Sequence, residues 1–549
     1  MPGHCYRAAR RRGGVRILET AALRRRTLLK AGALLPLLAA PRIAGAQSPR
    51  ILKFIPQADL AVLDPIFTTA YVTRNHGYLV FDTLYGQDAQ YKAQPQMVEG
   101  AVTDADGKSS KLTLRPGLKF HDGTPVLARD CVASLQRWGK RDAFGQALMA
   151  VTDELTAADD RTISFRLKKP FPLLPDALAK TGSNVPVMMP ERLAKTDAFS
   201  QVTEMVGSGP FRFKADERAA GSRVVYERFQ EYQPRQGAAS FTAGGKVAAF
   251  DRVEWTVIPD SATAAAAMQS GEMDWWENPP ADLLPLLKRS GKLTVTVQDK
   301  TGFLGYMRPN FLFPPFDNPA FRRALLGAVN QEDFMVAAAG TDETLWHTPI
   351  GAFCPSSPMA NDVGMGAITG KPDMAKVREA VKASGYKGEK VVVMGAVDFP
   401  IINAIVNVGV DMMQQAGVNV DYQAVDWGTV VQRRSKKDPP DKGGWNVFFT
   451  YWSGLDNFNP AVDFAVRGNG EGGWFGWPTM PKLEELRAQW FDAPDEVAQK
   501  RICGDIQKVV FDDVPFYPLG QLYQTTAFKK ELTGVLDGFV LFWNVKRSA

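Results

Sequence analysis

Residues 253–276 read VEWTVIPDSATAAAAMQSGEMDWW, and this stretch contains a strand, a helix and a second strand in direct succession. The run at 253–258 predicts a strand, and the alanine-rich run at 261–270 predicts a helix that ends at Gly271. A short strand follows at 274–276. Strands that alternate with helices are typical of an α/β domain whose sheet is largely covered by helices.

The same alternation continues in the C-terminal half of the chain. Helices are predicted at 318–329 and 371–384, and strands at 390–394, 418–424 and 445–451. The last of these strands is apolar and runs into a polar loop. We therefore expect a second α/β lobe after the first.

Upstream of the central stretch, residues 111–115 and 161–167 alternate apolar and polar side chains. An alternation with a period of two predicts half-buried strands. Between them, an Asp-Gly turn is followed by Thr124 and Pro125, which predict a helix cap and the first helical position. We expect this helix to run to about Trp138.

Length and composition predict a soluble globular protein with more than one lobe. The chain has 549 residues, of which 45% are apolar and 23% are charged. One hydrophobic core rarely organises so long a chain, so we expect two or three lobes. The net charge is +6, but residues 1–46 alone carry +9, so the remainder is mildly acidic. A mildly acidic protein offers no positive field for a phosphate backbone, which argues against a nucleic-acid partner.

Residues 1–46 have the three parts of a secretory signal peptide. A basic region ends in Arg25 and Arg26, an apolar stretch occupies 31–40, and a small-residue site ends at Ala46. The paired arginines are similar to those of a twin-arginine export signal. As a helix the apolar stretch spans about 15 Å, half of a bilayer's hydrocarbon core, which favours a cleaved leader over a membrane anchor. We therefore expect cleavage near Ala46 and a periplasmic protein.

Cysteine and histidine are scarce after the leader, where the chain has only Cys131, Cys354, Cys503, His76, His121 and His347. Three scattered cysteines cannot form a disulfide framework, and buried free thiols are expected. Because no Cys or His residues are closely spaced, we predict neither a side-chain metal site nor a cofactor. The Gly-x-Ser-x-Gly and His-Glu-x-x-His motifs of hydrolases are also missing. We predict a protein that is not an enzyme, with a secreted hydrolase as the weaker alternative.

Several short segments resemble, in their order and spacing, the family 5 extracellular solute-binding proteins of dipeptide, oligopeptide and nickel ABC transporters. They are LDP at 63–65, LRPGLKFHDGTP at 114–125, GSGPF at 207–211, IPD at 258–260, SGEMD at 270–274 and PPFDN at 314–318. The resemblance covers nearly the whole chain after the leader. No single segment is specific, but the series is.

The resemblance implies a type II periplasmic-binding-protein fold, with two large lobes and a small insertion subdomain (the cluster C architecture). It divides the chain into a leader at 1–46, lobe I at 47–90, 206–300 and 512–549, the insertion subdomain at 91–205, and lobe II at 301–511. It also implies a monomer that captures a small solute between the lobes by hinge closure. The partners would be an inner-membrane ABC permease and its ATPase.

The loop after the strand at 445–451 is similar to the loop with which the family grips its ligand. Peptide binders place an aspartate in this loop to bind the ligand's α-ammonium group. Here Leu455 stands at the expected position and Asp456 comes one residue later. Asp456 therefore either reaches the ligand through a shift of one residue, or forms a turn ahead of Pro460.

The remaining predicted ligand contacts are two hydroxyl groups of lobe I, three aromatic side chains and two loop residues: Thr69 and Tyr71; Trp427, Tyr451 and Trp452; Ser453 and Gly454. Aromatic walls suit a cleft that removes water from a small ligand. An acid that relatives often carry near Tyr71 is missing, which weakens the case for a ligand with a free amine. We predict a peptide or peptide-like ligand, with an opine, an oligosaccharide, an organic acid or a metal chelate as alternatives.

Overall fold

The computed structural model describes residues 50–548, and every structural statement below refers to this range. The predicted leader and its cleavage site lie outside the described residues. Within the range, none of the helices is long and apolar enough to span a bilayer.

The first of two large sheets has seven strands. Their order is Leu293–Val297, Thr525–Lys529, Trp275–Trp276, Ile51–Ile55, Arg252–Thr256, Arg223–Arg228 and Phe211–Phe213. The strand Ile51–Ile55 is parallel to both of its neighbours, and the other pairs are antiparallel. The helix Ser261–Ser270 connects two of these strands and ends at Gly271, whose φ of 83° is the left-handed conformation of a helix terminator. The strand, helix and strand predicted at 253–276 are therefore confirmed.

An aromatic cluster forms the core beneath this sheet. The ring of Phe54 lies 5.5 Å from that of Trp255 and 5.6 Å from that of Trp275. Phe542, near the C-terminus, lies 5.0 Å from Phe54 in an edge-to-face contact. Burial of four large rings contributes strongly to stability, and it attaches the C-terminal segment to the first lobe.

The second large sheet has six strands, in the order Trp346–His347, Tyr517–Leu522, Phe303–Pro309, Val447–Ser453, Val391–Ala396 and Val420–Val425. The helices Gln331–Ala339 and Pro400–Gln415 pack against it. Further helices of this lobe are Pro319–Leu326, Met374–Ala383, Trp427–Arg433, Pro481–Phe491 and Glu496–Asp513. Two α/β lobes are thus present, in agreement with the predicted fold class.

A smaller antiparallel sheet of four strands follows the helix Tyr71–Val80 in the chain. Its strands, in order, are Val98–Thr103, Ser109–Leu114, Thr162–Leu167 and Thr152–Ala157, and its helices include Ala128–Trp138 and Ala143–Val151. The helix predicted from Pro125 begins instead at Ala128, where the Asp130 carboxylate accepts the Leu127 N–H. Thr124 bonds to the Asp122 carboxylate and closes the preceding turn. That prediction failed because a turn and a helix start use the same residue types.

The chain passes between the two large sheets twice, at neighbouring places. Residues 298–302 connect the strand Leu293–Val297 to Phe303–Pro309, and residues 523–524 connect Tyr517–Leu522 to Thr525–Lys529. We call these two connecting segments the hinge. The strand Tyr517–Leu522 is fully buried and pairs within the second sheet. The strand pairing therefore places the return to the first sheet at 523–524, not at the predicted boundary of 512.

Candidate functional site

A cavity of about 720 Å³ lies between the two lobes, beside the hinge. Gln57 and Asn278 line it from the first lobe, Phe399 and Tyr451 from the second, and Gln524 from the hinge. The volume is within the range of about 300–1,000 Å³ that is usual for small-molecule sites. A second cavity, between the insertion subdomain and the second lobe, measures only about 190 Å³. The larger cavity is therefore the candidate ligand site.

Five aromatic rings form a continuous row beside this cavity. Successive ring centroids are 5.9, 5.8, 4.9 and 5.7 Å apart along the series Trp427, Phe399, Tyr451, Phe303 and Tyr71. Three of these residues were predicted from the sequence. Of this row only Phe399 and Tyr451 line the cavity, where they can cover an apolar part of a ligand; the predicted contacts Trp427 and Tyr71 are not among its lining residues.

Sequence reasoning missed the other two rings, Phe303 and Phe399. Phe399 follows the strand Val391–Ala396, which is parallel to both of its neighbours. Ligands in α/β folds bind beyond the carboxyl ends of such strands, so this position was a usable signal. Phe303 opens the first strand after the hinge, and no local signal marks it.

Trp452 was predicted to line the cleft, but the structure places it elsewhere. Its ring is buried against Phe464 at 5.9 Å and Trp474 at 5.3 Å. Successive residues of a strand point to opposite faces, so Tyr451 and Trp452 cannot both face the cavity. Tyr451 is the one in the aromatic row, and Trp452 belongs to the core behind it.

The carboxylate of Asp456 is buried and is hydrogen-bonded on both oxygens. One oxygen accepts bonds from the backbone N–H and the hydroxyl of Ser183, both at 2.9 Å. The other accepts a 2.9 Å bond from the hydroxyl of Tyr71. A Cβ atom at Gly182 would lie only 2.3 Å from the carboxylate, so the approach requires glycine there. Asp456 thus joins the second lobe to the first lobe and to the insertion subdomain.

Asp456 lies in the 3₁₀ turn Gly454–Asn457, as the alternative interpretation expects, but its carboxylate bonds to Tyr71 and Ser183. The Ser453 hydroxyl caps the short turn by accepting the Leu455 N–H at 3.3 Å. The side-chain oxygen Oδ1 of Asn459 accepts the Ala461 N–H at 3.0 Å and so closes the turn at Pro460. Asp456 is free of local capping, and its contact with a ligand stays a prediction.

The hydroxyl of Tyr71 connects the two lobes. It donates to Asp456 and accepts a 2.6 Å bond from the N–H of Ser453. Burial, followed by the negative charge of Asp456, raises the pKa of Tyr71 well above its ordinary value. The hydroxyl therefore remains protonated and acts as a donor to the carboxylate.

Gly454 and Thr69 complete the predicted set. The N–H of Gly454 donates to Gly302 at 2.8 Å, and a Cβ atom at Gly454 would lie 2.2 Å from the Thr301 carbonyl oxygen. The loop of the second lobe therefore packs directly on the hinge. Thr69 is half-buried just before the helix Tyr71–Val80 and is not among the residues that line the larger cavity.

Charged residues near the hinge were also missed by sequence reasoning. Arg74 is only 4% exposed and Glu277 only 7%. Burial raises the pKa of Glu277 to about 7 and also raises the pKa of Asp299. Arg74 lies three residues after Tyr71 on the same helix, a spacing that puts both on one face and was a usable signal.

Among residues 50–548, no group of three or more His, Cys, Asp or Glu side chains is placed to hold a metal ion. The three cysteines Cys131, Cys354 and Cys503 are free and buried, as predicted.

Comparison with known proteins identifies similar chains along almost the whole length. Residues 92–472 match the family model described as bacterial extracellular solute-binding proteins, family 5 Middle. A probable peptide ABC transporter periplasmic-binding protein of Sinorhizobium fredii is 37% identical over 494 residues, which are 89% of this chain and 92% of that protein.

Two solved structures have the same fold. A periplasmic binding protein of A. tumefaciens R10 in complex with agropinic acid superposes with a TM-score of 0.75 at 18% identity, covering 91% of this chain and 99% of that one. A periplasmic binding protein of Helicobacter pylori in complex with the peptide STSA gives 0.74 at 20% identity, covering 91% and 98%.

Proposed function

The chain belongs to family 5 of the bacterial extracellular solute-binding proteins, which serve ABC importers, and we propose that its ligand is a peptide or a peptide-like compound. The cavity of about 720 Å³ between the lobes is the observation that carries this proposal. Phe399 and Tyr451 suit apolar side chains, and Gln57, Asn278 and Gln524 offer hydrogen bonds to a backbone. The similarity to a probable peptide-binding protein supports the same class.

We assign two roles to the predicted contact residues. Tyr451, together with Phe399, contacts the ligand, because both line the cavity. Asp456, Tyr71 and Ser453 hold the lobes together, because their polar atoms are bonded to one another across the cleft. A ligand that contacts both lobes then selects the closed form.

The protein acts after export and does no chemistry on the ligand. The twin-arginine leader directs it to the periplasm, cleavage occurs near Ala46, and the mature monomer delivers its ligand to a permease and ATPase. The name of the Sinorhizobium relative, a periplasmic-binding protein of a peptide transporter, supports this assignment.

A thermal-shift screen of the purified protein tests the ligand class. The panel contains dipeptides, tripeptides, opines, oligosaccharides, organic acids and nickel chelates. A ligand at 100 times its Kd stabilises the folded state by about 2.7 kcal/mol, which is a readily measured shift. We expect peptides to raise the Tm. A response to sugars or organic acids without a response to peptides would refute the peptide proposal, and turnover of a ligand would refute a pure binding role.

Asp456→Asn separates the two roles of this residue. If Asp456 only joins the lobes, a dipeptide and its N-acetyl derivative lose affinity equally. If it binds the ligand's ammonium group, only the free amine loses, by about 10-fold or more. We expect the equal loss, measured by isothermal titration calorimetry of both compounds on wild type and variant.

A further inference from the structure

A small pocket of about 40 Å³ adjoins the larger cavity at the hinge. Gln57, Asn278 and Gln524 line both spaces. The rest of the small pocket's wall includes the charged and polar side chains Arg74, Glu277, Gln298 and Asp299. The pocket is therefore a polar extension of the ligand site.

Arg74 lines this pocket, and one nitrogen of its guanidinium group lacks a hydrogen-bond acceptor among residues 50–548. Its Nε and Nη2 atoms share one acceptor, the side-chain oxygen of Asn75, at 3.2 and 3.1 Å. Across the described part of the chain, its buried Nη1 atom has no hydrogen-bond partner. The guanidinium lies 3.8 Å from the ring centroid of Phe539 and 4.8 Å from that of Tyr71, so aromatic faces hold it in place.

Three acids lie close enough to act on the charge of Arg74, namely Asp299, Asp456 and Glu277, and the hydrogen bonds that they accept come from other residues. The Glu277 oxygens accept bonds from the Gln57 N–H and the Asn75 amide. The Asp299 carboxylate accepts hydrogen bonds from the backbone N–H and the hydroxyl of Thr301. Buried arginines are normally paired with an acceptor, so an unpaired N–H on a residue that lines a pocket is suited to a ligand.

Gln298 supplies the complementary group. Its side-chain N–H donates to the Leu536 carbonyl oxygen at 2.8 Å. Its Oε1 atom is buried without a partner among residues 50–548. The pocket thus presents one unsatisfied donor, on Arg74, and one unsatisfied acceptor, on Gln298.

We propose that this pocket binds a carboxylate whose α-nitrogen carries a hydrogen, as at the C-terminus of a peptide. The carboxylate accepts the free Nη1–H of Arg74, and the α N–H donates to Oε1 of Gln298. The inference rests on the proposed function and adds to it which end of the ligand lies at the hinge. Opines carry the same group on a secondary amine, so they are a second source of this chemistry.

The surrounding acids are compatible with a bound anion. Burial raises the pKa of Glu277 to about 7, so this carboxyl takes up a proton readily when a second negative charge arrives. Arg74 remains charged because a guanidinium is not deprotonated in proteins. Burial also raises the pKa of Asp299, so this second acid takes up a proton more readily as well, which leaves the charge of Arg74 for the ligand carboxylate.

The test compares free acids with their blocked forms. The probes are a low-mass fraction of a casein digest, the same fraction after methyl esterification, and octopine as the opine. Each is titrated into wild type, Arg74→Gln and Gln298→Glu, and the Tm shift and the Kd are measured. Arg141→Gln is the matched control, because Arg141 also stacks on aromatic rings but lies outside the pocket.

We expect the free acids to bind wild type about 10-fold or more tightly than their esters, and Arg74→Gln to abolish this difference. Gln298→Glu weakens the same probes through repulsion, and serves if Arg74→Gln does not fold. Equal binding of acids and esters to wild type would mean that water fills the pocket, and would overturn the inference while the peptide function stands.

The remaining outcomes separate the two proposals. If octopine binds in an Arg74-dependent manner and the peptides do not, the pocket assignment holds and the peptide function fails. If none of the three probes binds wild type, both are refuted.

Discussion

Replacing Tyr71 by phenylalanine removes one hydroxyl group that joins the lobes, and we expect this change to weaken ligand binding. The hydroxyl donates to Asp456 at 2.9 Å and accepts from the Ser453 N–H at 2.6 Å. The phenyl ring keeps its contact with Phe303, whose centroid is 5.7 Å away. The perturbation is therefore confined to two hydrogen bonds across the cleft.

The magnitude follows from the two bonds. A bond to a carboxylate is worth about 1.5–3 kcal/mol and a bond between neutral groups about 0.5–1.5 kcal/mol, so the closed form loses about 2–4.5 kcal/mol. Opening replaces both bonds by bonds to water, so the open form is unaffected. If the free protein is mainly open, its apparent Kd rises about 30-fold or more, and if it is mainly closed, the rise is smaller.

Isothermal titration calorimetry with the tightest ligand of the thermal screen measures the Kd, and small-angle X-ray scattering reports the compactness of the free and bound forms. Tyr386→Phe is the matched control, because the Tyr386 hydroxyl donates to Glu389 and accepts from Asn419, both in the second lobe. We expect the control to bind as wild type does. A Tyr71→Phe protein with the wild-type Kd and unchanged scattering would refute the closing role of Tyr71.

Three further changes test other parts of the structure. Gly182→Ala places a Cβ atom 2.3 Å from the Asp456 carboxylate, so we expect this change to raise the ligand Kd measured by calorimetry. Gly366→Ala is the control, because a Cβ atom there meets nothing within 4 Å. Equal Kd values for the two variants would contradict the contact between Gly182 and Asp456. Burial raises the pKa of Glu277 to about 7, so between pH 4.5 and 7 the folded protein keeps a proton on Glu277 that the unfolded chain has lost. The free energy of unfolding therefore falls by up to about 3 kcal/mol as the pH rises through this range. Glu277→Gln should remove that decline from the free energy of unfolding measured against pH, and an unchanged decline would assign it to other groups. Burial lowers the pKa of His76 to about 3, so its contribution is complete above pH 6.5 and is lost as the pH falls toward 3. The difference in unfolding free energy between wild type and His76→Phe should shrink over that acidic range, and a constant difference would show that His76 does not titrate there.

The fold was accessible from the sequence wherever the signals were local. The helix Ser261–Ser270 was predicted with its true bounds because an alanine run and a terminating glycine are neighbours in the chain. The lobe boundary at 512 was not predicted correctly. The strand Tyr517–Leu522 pairs with Phe303–Pro309 in the second sheet, and such pairing joins residues far apart in the chain. The helix start at Ala128 was missed for a different reason, because a turn and a helix start use the same residue types.

For the candidate site, residue type was predictable and orientation was not. Tyr451 and Trp452 have the same kind of side chain, and only the register of the strand Val447–Ser453 decides that the first faces the cavity. The spacing from Tyr71 indicates the helix face of Arg74, but whether its Nη1 atom finds a partner depends on where the neighbouring acids are bonded, which the sequence does not show.

By itself the sequence determined the secretory pattern of residues 1–46, the α/β character and the family, because these depend on composition, period and the order of short segments. The tertiary structure alone decided which groups the Asp456 carboxylate bonds to. Its partners Tyr71 and Ser183 are 385 and 273 positions away. Whether a carboxylate is open to a ligand or bonded within the protein depends on such distant donors, and only folding brings them within hydrogen-bonding distance.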